Sequence, residues 1–439
     1  MSIESTKLQT IFSYLNESGI EHVLVGEDVA GLMESVEGDV DIVLNHTSMN
    51  SICEIIKVLC NDLGLKCVQI LQHEQRAFSF LVAWFEEHGW HYLHLDFCDD
   101  YVRDARLLIT AEELLEGRIK DGLSGFYIPS PEKNLLYYLL KKVDKGAIDK
   151  VQFRYLNKLL SECAEPMPPY LAQFWTTDRS TQVIEVLDGN DFDTFLHMIP
   201  ALQRPLKLDL KPSFRRRIGE LKRIVGRIIR PAGLFFTIYG PDGCGKSSVI
   251  EALKPMLLPV SRRTLEFHFR PFVGYPANDT VVTVPDPHGR KPRHPITSVL
   301  KLFYYVFDYI VGYILKIWLP KVRATAIVFD RYYDDLIVDP RRYCYGGPRF
   351  LLKWIRPLIP KPDIVFCLDA PADILQSRKQ EVPFEETVRQ REVYHDLVSN
   401  LRNGHVIDAS QPLEQVVQDV QAIVLQYLAE RTAKRLGTS

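Results

Sequence analysis

A glycine-rich octapeptide at positions 240–247 constrains the fold of this chain more than any other feature. It reads Gly-Pro-Asp-Gly-Cys-Gly-Lys-Ser and matches the pattern G-x-x-x-x-G-K-[ST]. The apolar run 234–239 comes directly before it, and a helix-forming run begins at Ser248. A strand, a glycine loop and a helix in this order place backbone N–H groups and a helix N-terminus around an anion. The sequence therefore predicts an α/β domain whose loop holds the phosphates of a nucleoside triphosphate.

The residue types in and near this loop indicate phosphoryl chemistry with ATP as donor and Mg²⁺ as cofactor. Lys246 is expected to reach the β- and γ-phosphate oxygens, and the Ser247 hydroxyl to ligate Mg²⁺. Asp330 ends a second apolar strand, where P-loop enzymes place the carboxylate that organises Mg²⁺. The predicted nucleotide-binding residues are Gly240, Gly243, Cys244, Gly245, Lys246, Ser247 and Ser248.

Length and composition predict a multidomain protein of the cytoplasm. A chain of 439 residues is too long for one ordinary domain, and we expect three regions at 1–128, 129–230 and 231–439. The net charge of −3 gives no overall attraction to nucleic acid, so no specific nucleic-acid partner is expected. Eight cysteines without a C-x-x-C pair favour reduced thiols, and the acidic, polar start at Met1 differs from a secretion signal.

Three further motifs follow the P-loop in order. They are the Asp-Arg-Tyr sequence at 330–332, the apolar strand 362–369 and the helical run 372–380, which carries Arg378. Together with the loop, these motifs resemble the thymidylate kinase family over roughly residues 231–431. The resemblance implies a P-loop kinase that transfers the γ-phosphoryl of ATP to a nucleoside monophosphate or another small acceptor.

The same resemblance implies roles for individual residues. Asp242 would lie near the acceptor and the transferring phosphate, Arg331 would face the acceptor, and Arg378 would be a lid arginine, with Arg389 and Arg391 as helpers. The expected catalytic residues are Lys246, Asp242, Asp330, Arg331 and Arg378.

Two departures from the family pattern concern the acceptor. His268-Phe269-Arg270-Pro271-Phe272 stands where the family usually has Arg-Glu-Pro-Gly-Gly, and Tyr333-Asp334-Asp335 follows the Asp-Arg-Tyr motif. Arg270 and Arg331 are the predicted acceptor ligands, although a surface role for Arg270 stays open. We therefore expect kinase chemistry with thymidylate as a poor acceptor.

A second group of acids lies near the N-terminus. The strand predicted at 38–44 carries Asp39 and Asp41 on one face, because side chains alternate along a strand. Asp96 follows in the alternating strand 92–97. Three carboxylates from two strands form a predicted site for two Mg²⁺ ions in nucleotidyl transfer.

These acids resemble the polymerase-beta-like nucleotidyltransferases over about residues 8–145, with a strand that reaches Gly26. Glu27 stands where that family usually has serine. Solvated strand-end acids and an inactive domain of this type stay open as alternatives. The expected fold is therefore α/β, with a C-terminal P-loop parallel sheet flanked by helices, a smaller α+β nucleotidyltransferase-like N-terminal domain, and a helical connector.

Two helical segments bear on membrane contact. Residues 211–230 form a basic amphipathic helix, for which we favour a linker packed on a domain over contact with anionic lipid or nucleic acid. Residues 299–319 are apolar but carry Lys301, Asp308 and Lys316, which favours a packed helix over a membrane span.

Two alternatives to the kinase remain, and a second copy of the chain is a further expected partner. One alternative is a metal-dependent nucleotidyltransferase that uses the N-terminal acids. The other is a non-enzymatic, nucleotide-dependent protein that binds a membrane or a partner.

Overall fold

The chain divides into two compact units. The computed structural model describes residues 2–26, 28–87, 89–208, 214–273 and 288–437. Unit 1 comprises Met1–Gly226 and Ala429–Ser439, and unit 2 comprises Arg227–Leu428. The predicted connector at 129–230 thus falls almost entirely into unit 1, and so does the end of the chain. Of the positions singled out in the sequence, Met1, Glu27 and residues 211–213 lie outside the described residues.

Unit 1 is built on a five-stranded mixed sheet with the strand order β1-β2-β5-β4-β3. Strands β2 and β5 run parallel, and the other neighbouring pairs are antiparallel. This sheet confirms the strands that the sequence predicts around residues 22, 40 and 94. Its strands are β1 (His22–Leu24), β2 (Asp39–Leu44), β3 (Lys66–Glu74), β4 (Ala77–Glu86) and β5 (Gly89–Cys98).

Helices and two small hairpins complete unit 1. Helix α6 begins with a proline in its first turn and ends at Gly146 in the left-handed region, both of which are ordinary helix boundaries. Its Leu and Tyr side chains form one buried core with the helices that follow it. The elements are α1 (Ile3–Glu17), α2 (Val29–Glu34), α3 (His46–Asn50), α4 (Ile52–Asp62), β6 (Tyr101–Arg103), β7 (Arg106–Ile109), α5 (Ala111–Leu115), β8 (Ile119–Lys120), β9 (Tyr127–Ile128), α6 (Pro131–Lys145), α7 (Lys150–Glu162), α8 (Pro168–Leu171), α9 (Thr177–Asp188) and α10 (Phe192–Leu208).

A basic helix, α11 (Phe214–Ile229), leads from unit 1 to unit 2. The sequence favours a linker packed on a domain, and the structure shows α11 in contact with unit 1 through Arg216 and Arg223. None of the residues of α11 is buried.

Unit 2 is a parallel five-stranded sheet with helices, as the sequence predicts. Its strand order is β11-β12-β10-β13-β14, and every neighbouring pair is parallel. All six residues of the central strand β10 are buried, which explains why this strand reads as an unbroken apolar run. The elements are β10 (Leu234–Tyr239), α12 (Lys246–Leu257), β11 (Arg263–His268), α13 (Pro295–Gly312), α14 (Leu319–Val322), β12 (Thr325–Asp330), α15 (Tyr333–Val338), α16 (Arg349–Ile355), β13 (Ile364–Asp369), α17 (Ala372–Arg378), α18 (Phe384–Ser399), β14 (Gly404–Asp408) and α19 (Leu413–Arg435).

Helix α13 continues through a π-helical turn into α14, and this segment was the candidate membrane span of the sequence. Within the described part of the chain, Pro295–Val322 is the one helix that is long and apolar enough to cross a membrane. One face packs into the core of unit 2 through side chains such as Tyr309. Asp308 is buried and accepts hydrogen bonds from two backbone N–H groups, and Lys316 donates to the Pro271 carbonyl at 3.0 Å. One face of this helix therefore packs into the P-loop unit, as the sequence predicts.

Candidate functional site

The P-loop lies between the carboxyl end of β10 and the first turn of α12. Gly240, Gly243 and Gly245 have φ angles of +146°, +84° and +87°, a region that side chains with a Cβ rarely adopt. A Cβ on Gly240 would also lie 2.5 Å from the Leu368 carbonyl oxygen, and one on Gly243 would lie 2.5 Å from that of Leu375. The glycines are therefore required by backbone conformation and by the close approach of neighbouring main chain.

The charge of Lys246 lies inside the loop. The side chain is 7% exposed, and its Nζ donates to the carbonyl oxygens of Gly240 at 2.8 Å and Pro241 at 2.9 Å. The same Nζ is 3.5 Å from Cys244 Sγ. An anion bound in the loop would have to replace these carbonyl contacts, and the ammonium is already in place to receive it.

Asp330 offers a free oxygen beside the loop. Its Oδ1 is buried and has no hydrogen-bond partner among the described residues, and its Oδ2 lies 3.6 Å from His268 Nδ1. Burial opposes ionisation, but His268, Lys246 and Arg331 bring the pKa of Asp330 down to about 2. The carboxylate and the exposed Ser247 hydroxyl are hard oxygen donors, and this donor set fits Mg²⁺.

Asp242 holds two arginines at the other side of the loop. Its Oδ1 accepts a hydrogen bond from Arg331 Nη2 at 2.5 Å, and its Oδ2 accepts one from Arg342. Burial would raise the pKa of Asp242, but the charges of Arg331, Lys246 and Arg342 hold it well below its usual range. Asp242 is therefore ionised across the neutral range. Sequence reasoning missed Arg342, because no motif surrounds it.

Arg331 is fixed at both ends of its guanidinium. Nη1 donates to Asp335 at 2.9 Å, and the hydroxyls of Tyr343 and Tyr394 donate to the same carboxylate. The residue has a φ of +67°, which is uncommon for a residue with a side chain and is found at functional sites. Asp335 therefore orients Arg331 toward Asp242.

One cavity of about 430 Å³ brings most of the predicted residues together. Gly240 and Cys244 are not among its lining residues. Cys244 is buried beneath the loop. The lining residues are Asp242, Gly243, Gly245, Lys246, Ser247, Ser248, His268, Asp330, Arg331, Arg342, Arg378, Lys379 and Glu381.

Several predicted arginines are held by other partners. Arg378 lines the cavity and also donates to the Ala409 carbonyl at 2.8 Å. Arg270 lies outside the residues that line this cavity, because its Nη1 donates to Asp308 at 3.1 Å and its guanidinium stacks over Phe272. Arg389 pairs with Glu386, and Arg391 pairs with Asp369.

The N-terminal acids line a separate cavity of about 510 Å³ in unit 1. Asp41 and Asp96 are direct neighbours in the register of β2 and β5, Asp39 lies on the same face, and Lys141 donates to Asp41. Burial, followed by the charges of Asp41 and Asp39, raises the pKa of Asp96 to about 7. Its Oδ1 is buried and lacks a hydrogen-bond partner within the described ranges, so an oxygen is free for a cation.

The three acids do not converge as tightly as a single-ion site. Among the described residues, two other groups have donor atoms that all lie within 4.8 Å of one another. They are His46 with Asp99 and Asp100, and His288 with Asp339 and Glu386.

Part of this chain is similar to known proteins. No known family profile matches it. The thymidylate kinase of Leuconostoc citreum is 28% identical over 222 residues, which cover 45% of this chain and 97% of the relative. A probable thymidylate kinase of Pyrobaculum aerophilum is 30% identical over 201 residues, which cover 43% of this chain and 95% of the relative. A crystal structure of thymidylate kinase from Ehrlichia chaffeensis is 18% identical, and the match covers 44% of this chain and 99% of that chain at a TM-score of 0.32.

A phosphate-binding loop at the carboxyl end of the central strand of a parallel sheet defines a P-loop protein of the α/β class. The relative from Pyrobaculum aerophilum is matched over nearly its whole length, and the chain accordingly belongs to the thymidylate kinase family. These relatives support a nucleotide kinase. They do not bear on the nucleotidyltransferase-like domain, which stays a prediction.

Proposed function

We propose that this protein transfers the γ-phosphoryl group of ATP to a nucleoside monophosphate, with Mg²⁺ as cofactor. The observation that carries the proposal is the single cavity in which Lys246, Asp330, Arg331 and Arg378 surround the glycine loop. Phosphoryl transfer needs little covalent help from a protein, because positioning and charge neutralisation supply most of the catalysis. A cavity lined by cations and one free carboxylate oxygen meets that requirement.

Five of the lining residues have a part in this scheme. Lys246 exchanges its two carbonyl partners for phosphate oxygens, and Arg378 neutralises charge at the transferring group. Arg331, oriented by Asp335, holds the phosphate of the acceptor. When bound, Mg²⁺ would neutralise charge between the phosphates, with the Ser247 hydroxyl and the Asp330 carboxylate to hold it.

The test uses γ-labelled ATP, Mg²⁺ and a panel of nucleoside monophosphates and sugars. Lys246→Ala should lower the rate of labelling by about 30- to 1,000-fold, since a lost contact to developing charge costs about 2 to 4 kcal/mol. Lys254→Ala is the matched control, because Lys254 lies on the same helix and pairs with Glu251 and Glu266 instead. Unchanged turnover in Lys246→Ala, or no labelled product from any acceptor, would contradict the proposal.

The acceptor is proposed to be a nucleotide other than thymidylate. Arg270 belongs to the segment that replaces the usual Arg-Glu-Pro-Gly-Gly stretch of the family. Its guanidinium donates a hydrogen bond to Asp308, and it is not among the residues described as lining the cavity. A site that lacks the hydrogen-bonding partners of a substrate binds that substrate poorly. Steady-state kinetics with purified protein should give thymidylate the lowest kcat/KM of the panel. A value of about 10⁴ M⁻¹s⁻¹ or more for thymidylate would show this expectation wrong.

A second candidate activity is metal-dependent nucleotidyl transfer at the acids of unit 1. The register of Asp41 beside Asp96, the free Asp96 Oδ1 and the cation at Lys141 favour it. Asp41→Asn should remove pyrophosphate release from nucleoside triphosphates and leave γ-phosphoryl transfer intact. Asp62→Asn, at an exposed position on α4, is the control. Equal loss of both activities in Asp41→Asn would argue against two separate sites.

The cytoplasm is the proposed location, and a second copy of the chain is a proposed partner. Cell fractionation tests the location, and sedimentation of the purified protein over a concentration series tests self-association.

A further inference from the structure

Helix α11 docks on unit 1 with its polar face. At about 100° per residue, Arg216, Gly219, Glu220 and Arg223 lie on one side of the helix. Arg223 donates to the Gln72 carbonyl at 3.2 Å, and Arg216 lies 3.7 Å from Asp100. A Cβ on Gly219 would come within 2.4 Å of the Gln75 side chain, so the helix backbone approaches the β3–β4 hairpin closely.

The opposite face of α11 is apolar and exposed. This arrangement is the reverse of an ordinary surface helix, which buries its apolar stripe against the core. Phe214 is 77% exposed, Leu221 is 62% exposed, and even the least exposed member, Ile228, is 38% exposed. The apolar face consists of Phe214, Ile218, Leu221, Ile224, Val225, Ile228 and Ile229.

Cations border this apolar face on both sides. Arg215 and Lys222 lie along one edge and Arg217 lies along the other, and all three side chains are exposed. None of these three side chains forms an ion pair or a hydrogen bond with any residue that the structure describes. The one acid of the helix, Glu220, lies on the docked face and pairs with Arg223 at 2.7 Å. The outward side of the helix therefore carries apolar side chains and positive charge without any negative charge.

We propose that α11 seats the protein on the surface of a bilayer that contains anionic lipids. A helix with an apolar face bordered by arginine and lysine lies in the plane of the membrane interface, with its apolar side chains at the acyl boundary. The bordering cations then meet lipid phosphates and carboxylates at the level of the headgroups. The polar contacts to Gln72 and Asp100, and the close approach of Gly219 to Gln75, hold the helix on unit 1, so that insertion needs no detachment of the helix.

The charges around the apolar face of α11 favour a membrane over two other partners, a second copy of the chain and nucleic acid. A second copy of the same helix would bring Arg215, Arg217 and Lys222 toward identical cations, and like charges in contact repel. Nucleic acid would meet the cations, but its phosphates offer nothing to seven apolar side chains. An anionic bilayer satisfies both parts of the surface.

The experiment is co-sedimentation of the full chain with vesicles of phosphatidylcholine mixed with phosphatidylserine, and with vesicles of phosphatidylcholine alone. Wild-type protein should bind the anionic vesicles and bind the uncharged ones weakly. The double variant Leu221→Glu/Val225→Glu should lower binding at least tenfold. The triple variant Arg215→Gln/Arg217→Gln/Lys222→Gln should lower binding to anionic vesicles by about a hundredfold, at about fivefold per removed cation.

Val151→Glu is the matched control, because Val151 on α7 is 74% exposed and lies outside α11. It should bind vesicles like wild type. Because the substituted side chains are exposed, each variant should fold. Circular dichroism checks that each variant keeps its helices. Equal binding of all proteins, or no binding of wild type at low salt, would overturn the proposal. So would a wild-type dimer that the double variant abolishes, since a second copy would then cover the face.

Discussion

Asp335 is a fully buried carboxylate in unit 2 that accepts hydrogen bonds from three side chains. It pairs with Arg331 and accepts hydrogen bonds from Tyr343 and Tyr394. Burial opposes ionisation, but Arg331, Arg342 and the two hydroxyls hold the pKa of Asp335 below its usual range. Its charge therefore offsets that of Arg331 inside the protein, where an unpaired guanidinium would be costly.

Asp335→Asn should lower the free energy of unfolding of unit 2 by about 3 to 5 kcal/mol, because it leaves Arg331 with less compensating charge in a buried site. Denaturant unfolding measures the change. Asp334→Asn is the control at the next position, where the partner Arg356 has a side chain that is 39% exposed, and a loss of about 1 kcal/mol or less is expected. Similar losses for both variants would show that Asp335 carries no special weight.

At the scale of elements, the P-loop is held by backbone geometry. Gly240→Ala should destabilise unit 2 more than Gly245→Ala. Both positions have positive φ, which costs a residue with a Cβ about 1 to 3 kcal/mol. Only at Gly240 would the new Cβ also meet the Leu368 carbonyl and the Cys244 sulfur, whereas at Gly245 nothing lies within 4 Å. Thermal unfolding of the two variants, side by side, gives the order, and the reverse order would contradict the geometry.

The strands and helices could largely be predicted from the sequence, but some of the contacts between them could not. Strand β10 is buried on both faces, so its apolar run is visible without any structure. The amphipathic pattern of α11 is equally visible in the sequence, but it does not say which face of the helix contacts the protein. In the structure, the polar face makes this contact. The link from Arg342 to Asp242 joins positions 100 residues apart, and no local pattern reports it.

At the scale of the whole molecule, the two ends of the chain belong to one unit. The last residues from Ala429 onward are part of unit 1, although the preceding residues are part of unit 2. Thr432 is buried, and its hydroxyl donates to the Val68 carbonyl on β3 at 3.0 Å. Leu436 packs against the core of the N-terminal sheet. The end of α19 therefore contributes to a unit whose other residues come from the first half of the chain.

Thr432→Val should lower the unfolding temperature of unit 1 and leave ATP binding unchanged. The variant keeps the shape of the side chain but leaves the buried Val68 carbonyl without this donor, at a cost of about 1 to 3 kcal/mol. Thr181→Val is the control, because the Thr181 hydroxyl donates to the carbonyl of Thr177 at an exposed position of α9. Calorimetry with and without ATP separates the two units. A loss of ATP affinity in Thr432→Val would contradict this assignment.

Cys244 gives the nucleotide site an internal reporter. Its thiol is 2% exposed beneath the glycine loop, and burial raises its pKa while the neighbouring Lys246 charge lowers it. Alkylating reagents attack an accessible thiolate, so they reach this sulfur only when the loop opens. The rate of alkylation at Cys244, followed by mass spectrometry, therefore measures how often the loop opens. Bound ATP should lower the rate of alkylation, so the native sulfur reports whether the nucleotide site is occupied without any added label.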